Sequence, residues 1–173
     1  MKKQGAGSRK RPWQSTTITP TTSNSTGGRP LEYDRDRVTR LMGEAKNALF
    51  NIHELAELDE EEFLRNKHYI SSAKYNLLVA IEACIDIAYH LISKNKLRLP
   101  KDYSDAFKVL QENNVISNEL ARRLILMARF RNRLVHIYWD IDDRMIYRII
   151  TENITDIEKF LEHIRKILGG DNK

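Results

Sequence analysis

A chain of 173 residues is long enough for one domain with a real core, and 41% apolar with 31% charged residues excludes a fibrous or wholly disordered protein. The net charge of +5 invites a polyanion partner, yet six of the 29 basic residues (Lys2, Lys3, Arg9, Lys10, Arg11, Arg29) lie in the first thirty positions with none of the 24 acidic ones, so the body is close to neutral. A single cysteine, Cys84, excludes an internal disulfide or a cysteine zinc cage and fits a reducing, cytoplasmic compartment.

Residues 1–30 are rich in Ser, Thr, Gly and Pro, lack hydrophobic periodicity and end in Gly27-Gly28-Arg29-Pro30; they read as a disordered basic tail without a secretory signal. Residues 31–173 read as one helical domain. From about Glu32 the positions Val38, Leu41, Met42, Ala45, Ala48, Leu49, Ile52, Leu55 and Ala56 recur at three- and four-residue steps, which predicts an amphipathic first helix. Asp59, followed by Glu60, Glu61 and Glu62, is a cap and acidic first turn for a short second helix carrying Phe63 and Leu64. A long third helix is expected from about Lys67 through Ile70, Leu77, Ile81, Cys84, Ile85, Ala88, Leu91 and Ile92, with Pro100 beyond its end. Cys84 reads there as a small buried side chain.

A fourth element covers about Tyr103 to Asn113 and breaks at Asn113-Asn114. Ser117, with Leu120 three residues on, starts a fifth helix, and Asp142 or Asp143 starts a last one that Gly169-Gly170 ends. No segment alternates with period two for long, and no run approaches the roughly 18–20 apolar residues of a bilayer span. The expectation is an all-α antiparallel bundle of about five to six helices with no membrane partner.

Common catalytic signatures are absent: no Gly-rich phosphate loop, no GxSxG, no HExxH and no paired CxxC. Glu82, Asp86 and His90 stand four apart on one face of the third helix. They read as a hydrogen-bonded polar stripe rather than a metal or catalytic row, and no metal or other cofactor is expected.

The octet Arg131-Asn132-Arg133-Leu134-Val135-His136-Ile137-Tyr138 is different. At about 100° per residue, Tyr138 falls nearly over Arg131 while His136 sits about 140° around from it. Arg131 continues the row Leu120, Leu124, Met127, with Val135 next, where packing alone would place Leu or Met. A charge in such a row needs a partner or a task. RNA cleavage without a metal needs a base for the ribose 2′-OH, an acid for the 5′-oxygen, and positive charge beside the phosphorane. His136 can serve as base or acid, Arg131 offers a fork of donors for phosphate, and Asn132 adds a neutral donor. Arg122, Arg123, Arg129 and Arg133 crowd the same helix, with Glu119 the one nearby acid, as a surface that could guide a polyanion. One helix does not aim Arg131 and His136 at one atom; a two-fold dimer would bring two copies of each to a shared cleft. The structural alternative is an ion-paired arginine, a capping histidine and a core tyrosine.

These residues resemble the HEPN superfamily, and within it the HepT toxins of prokaryotic HepT/MntA toxin–antitoxin pairs. The motif Arg-x4-6-His, in HepT members Arg-x4-His-x-Tyr, is matched by Arg131, His136 and Tyr138, with Asn132 and Trp139 also fitting. Residues 80–88, 103–107 with Leu110, and 157–161 look like the family's long, middle and last helices, so the likeness covers about residues 32–168. The resemblance implies a homodimer whose two motifs line one cleft and a metal-independent endoribonuclease that arrests growth, with RNA as substrate. It also implies a partner, a minimal nucleotidyltransferase antitoxin of the MntA kind, which transfers AMP onto the tyrosine at position 138. Some HEPN proteins are instead non-catalytic helical partners of a nucleotidyltransferase, and that is the alternative reading.

Overall fold

The structure, a computed structural model, describes residues 31–136 and 141–169. Among these residues all regular structure is helical: α1 (Arg35–Ala56), α2 (Glu60–Arg65), α3 (Lys67–Lys94), α4 (Tyr103–Glu112), α5 (Asn118–His136), α6 (Asp143–Arg148) and α7 (Thr155–Ile167). A π-helical turn (Ile149–Asn153) joins α6 to α7, so the last helix expected from the sequence is one run interrupted by a bulge. Thr151 Oγ donates back to the Tyr147 and Arg148 carbonyls inside that bulge. The segments 1–30, 137–140 and 170–173, and with them the expected tail, Tyr138, Trp139 and Gly170, lie outside the described residues.

Short polar side chains set the helix ends. Asp34, Asp59, Asp102 and Asp142 each accept a backbone N–H of the first turn they precede, as does Asn66 for α3 and Ser117 for α5. At the C-terminal ends, Lys96 (φ 53°) and Asn114 (φ 56°) take the left-handed conformation, and Gly169 (φ 78°) does so after α7. Lys96 rather than Pro100 therefore turns the chain out of α3, and Asn95 holds the turn by donating to the Leu91 and Glu32 carbonyls.

Helices α3 and α7 each run antiparallel to α1, and cross-bonds give the register. From α1 to α3, Asn51 bonds Asn76 near one end and the Asp34 N–H reaches His90 at the other. From α1 to α7, His53 meets Glu158 while Tyr33, just before α1, donates to the Leu168 carbonyl. From α3 towards the C-terminal half, Glu82 meets Arg131 and Lys74 meets Asp143. Helix α3 is thus the central element. It is long and apolar enough by composition alone to cross a bilayer, which the sequence reading did not anticipate, and 67% of its most apolar stretch is buried inside the bundle. Phe107 of α4 packs edge-on to Phe160 of α7 at 5.7 Å, and Phe63 of α2 meets Tyr147 at 5.3 Å. Cys84 is fully buried, which pushes its thiol far above the ordinary range and leaves it a packing residue.

His90 couples this frame to pH. Its Nε2 accepts the Asp34 N–H at 2.8 Å, so the folded chain holds the ring neutral. Burial first, then the cations Arg37 and Lys94, hold its pKa below the ordinary value, against a smaller opposing pull from Asp34. A histidine depressed in this way contributes stability that is complete above about pH 6.5 and is lost as pH falls through the lower folded value. Thermal melts from pH 8 to 5 are expected to show a fall in Tm below about pH 6.5 that is reduced in His90→Asn. Equal slopes in the two proteins would exclude this contribution.

Candidate active site

Helix α5 buries Ala121, Leu124, Ala128 and Leu134, and Arg131 stands in that row between Ala128 and Leu134. The expectation that Val135 continues the row is corrected: Val135 is 42% exposed, and the neighbouring Leu134 turns inward instead. The reason is that the buried face advances by three- and four-residue steps, and from Arg131 the inward step is three. The Arg131 side chain is only 14% exposed, so the sequence correctly marks a charge in a packing position.

That charge has a partner. Arg131 donates from both Nε, at 2.6 Å, and Nη2 to one oxygen, Oε1, of Glu82 on α3. Its Nη1 makes a longer contact, 3.4 Å, with Asn132 Oδ1. The guanidinium also lies over the Tyr103 ring, 4.8 Å from Cζ to the centroid, a favourable cation–π geometry. Tyr103 is itself set edge-on against Tyr89 at 6.1 Å. The Glu82 side chain is 35% exposed, so water weakens the attraction relative to a fully buried pair, where loss of one partner costs about 3–5 kcal/mol.

Tyr103 is the first residue of α4, and the turn before it is fixed by charge. Arg98 forks onto Asp105 at 2.7 and 2.9 Å and reaches Glu112 at 2.7 Å, while the Lys101 N–H also donates to Asp105. The Arg98 guanidinium beside Asp105 holds that carboxyl well below the usual carboxylate range. Sequence reasoning did not connect Arg98, Tyr103 and Arg131, because residues 98 to 105 meet Arg131 only through the packing of α4 on α5.

His136 ends α5 and is exposed. Arg122, Arg129 and Arg133 lie on its outer face within about 60° of it, and all three are exposed and without an ion pair among the described residues. Arg123 departs from the expected basic surface, because Glu119 and the α7 residue Asp156 both pair with it. No hydrogen bond joins Arg131 to His136 among the described residues. Arg131 is tied inwards to α3 and α4, whereas His136 stands on the outer face. Beside α5 a groove of about 640 Å³ has an apolar floor including Ile81, Met127, Phe130 and Ile157, with Leu126, Arg129 and Arg133 at its edge. Leu126 is 64% exposed.

The polar row on α3 divides into separate tasks: Glu82 holds Arg131, and His90 holds the entrance to α1. Asp86, between them, is exposed, and its carboxyl is raised by partial burial and then by Glu82 one turn earlier. No group of three or more His, Cys, Asp or Glu side chains is placed to share a metal ion among the described residues. The signal for Glu82 was present in the sequence. It interrupts the apolar run Leu77 to Ile85 with a charge opposite to the one that interrupts the apolar face of α5.

The chain is similar to known proteins in sequence and in fold. The sequence matches the family model described as ribonuclease HepT-like over residues 45–164, which includes α3, the Arg131 to His136 span and most of α7. It is 31% identical over 107 residues to the mRNA nuclease HepT of Shewanella oneidensis, covering 62% of this chain and 80% of that one. It is 31% identical over 108 residues to the tRNA nuclease HepT of Aphanizomenon flos-aquae, covering 58% and 72%. In three dimensions it is similar, with a TM-score of 0.70 and 27% identity over 76% of this chain and 98% of that one, to the tri-AMPylated HEPN toxin of Shewanella oneidensis, solved in complex with an MNT antitoxin. With the all-helical bundle and the matched span in agreement, the chain belongs to the ribonuclease HepT-like family.

Proposed function

We propose that the chain is a metal-independent endoribonuclease toxin of a type VII toxin–antitoxin pair, with Arg131 and His136 as its catalytic groups. The observation that carries this reading is Arg131: a charged side chain set in a helix-packing row, 14% exposed, braced by Glu82 and Tyr103, five residues before an exposed histidine in a ribonuclease family. His136 takes the 2′-OH proton as the ribose oxygen attacks phosphorus. The guanidinium of Arg131, with Asn132 beside it, stabilises the equatorial oxygens of the phosphorane. The protonated His136 of the second copy in a dimer gives a proton to the departing 5′-oxygen, leaving a 2′,3′-cyclic phosphate and a 5′-hydroxyl. Arg122, Arg129 and Arg133 guide the RNA backbone along the outer face of α5.

One chain presents Arg131 and His136 on different sides of α5, which supports a homodimer whose two copies of the helix complete the cleft. The apolar groove beside α5 and the exposed Leu126 support contact through this face. The partner in this reading is a minimal nucleotidyltransferase antitoxin of the MntA kind, acting on Tyr138. The deciding experiment is incubation of the purified chain with RNA in excess EDTA. Cleavage that persists and leaves cyclic phosphate ends is expected. An intact RNA pool with and without divalent ions, together with a stable complex with the nucleotidyltransferase, would instead identify a non-catalytic binding partner.

A further inference from the structure

We propose that Glu82 is the positioning residue for Arg131, and that it decides which edge of the guanidinium meets the scissile phosphate; this rests on the assignment of Arg131 to the nuclease site. A guanidinium has two faces for oxygen: a side edge made by Nε–H and one Nη2 hydrogen, and an end edge made by hydrogens of Nη1 and Nη2. Glu82 Oε1 occupies the side edge completely. Among the described residues the end edge meets only Asn132, through the 3.4 Å contact at Nη1, and so keeps its two donors for a ligand. Tyr103 lies against the flat face and restricts rotation about the remaining axis. An arginine held in this way offers a pair of parallel donors, the pattern that matches two phosphate oxygens.

The same carboxylate sets a trade. It lies within one guanidinium width of the anion that Arg131 receives, so it repels ground-state RNA. In return it removes the rotamer freedom that a long arginine would otherwise lose on reaching the phosphorane. Glu82 therefore raises turnover at the expense of ground-state affinity. A residue that served only to stabilise the bundle would change the folded fraction and leave the affinity of folded protein unaltered.

Glu82→Gln keeps the shape and one acceptor but removes the charge. In RNA cleavage assays it is expected to lower kcat by about 10- to 100-fold. Direct titration with a short single-stranded RNA, in the non-cleaving His136→Ala background, is expected to give a lower Kd for the Gln variant than for its Glu82 parent. Thermal melts report the folded fraction in every sample. Parental kcat and Kd in Glu82→Gln overturn the proposal, as does a loss of kcat that matches a loss of folded protein with Kd unchanged. Arg131→Ala separates this from the wider reading. If that variant is inactive and Glu82→Gln is parental, only the positioning role falls; if Arg131→Ala cleaves RNA like the parent, the site assignment falls and the role of Glu82 with it.

Discussion

His136→Ala is expected to reduce RNA cleavage by about 10²–10⁴-fold, the range for removal of a positioned general acid or base, and Arg131→Ala by about 10²–10³-fold, the range for loss of a donor to a developing oxyanion. The two variants differ in a second property. His136 is exposed at the end of α5, so its truncation should leave stability within about 0.5 kcal/mol of the parent. Arg131 neutralises Glu82 in a partly shielded position, so Arg131→Ala leaves a carboxylate without its partner and should lower Tm as well. Arg131→Lys is the control, because it keeps the charge and loses the planar fork. It should recover much of the stability and little of the activity. Initial cleavage rates on a defined RNA, measured with melts of the same preparations, check both statements. Parental rates in both alanine variants would show that the chemistry lies elsewhere.

Co-expression with a minimal nucleotidyltransferase is expected to add one or more AMP units to the parent and none to Tyr138→Phe, as read by intact mass. The parent should then lose RNA cleavage, while Tyr138→Phe should remain toxic in the presence of the partner. The expected mechanism is electrostatic. Each AMP brings a phosphate to a tyrosine two residues beyond His136, where it competes with RNA for Arg131 and the exposed Arg129 and Arg133. The Shewanella oneidensis toxin of similar fold carries three such groups in its complex with the MNT antitoxin. An unmodified parent that nevertheless loses activity in the complex would replace modification by sequestration as the means of control.

Helix ends were legible because their causes are local. Asp59 and Ser117 cap from within three residues of the N–H groups they satisfy, and Asn114 and Gly169 leave their helices by their own backbone conformations. The Asp59 cap, the break at Asn113-Asn114, the Ser117 start and the Gly169 stop were all read from such short spans. The π turn at Ile149–Asn153 was not, since an extra residue in a helix leaves the apolar pattern of Ile146, Ile150, Ile154 and Ile157 almost unchanged. The same limit applies to Val135 and Leu134. Adjacent apolar residues at a helix end fit periodicity equally well, and only the neighbouring helices choose between them.

The sequence by itself determined that this chain is an all-helical bundle, and it marked Arg131 as a charge out of place five residues before a histidine, since periodicity and charge can be read along one helix. What surrounds Arg131 was decided only by the tertiary structure. Glu82 is 49 residues away in the chain and Tyr103 lies in a different helix again, and no local rule links either to α5. Packing of α3 against α5 places two opposite charges, each wrong for its own helix, at one level of the bundle. Burying either alone would be costly, whereas their pairing both satisfies the core and fixes the guanidinium by its side edge.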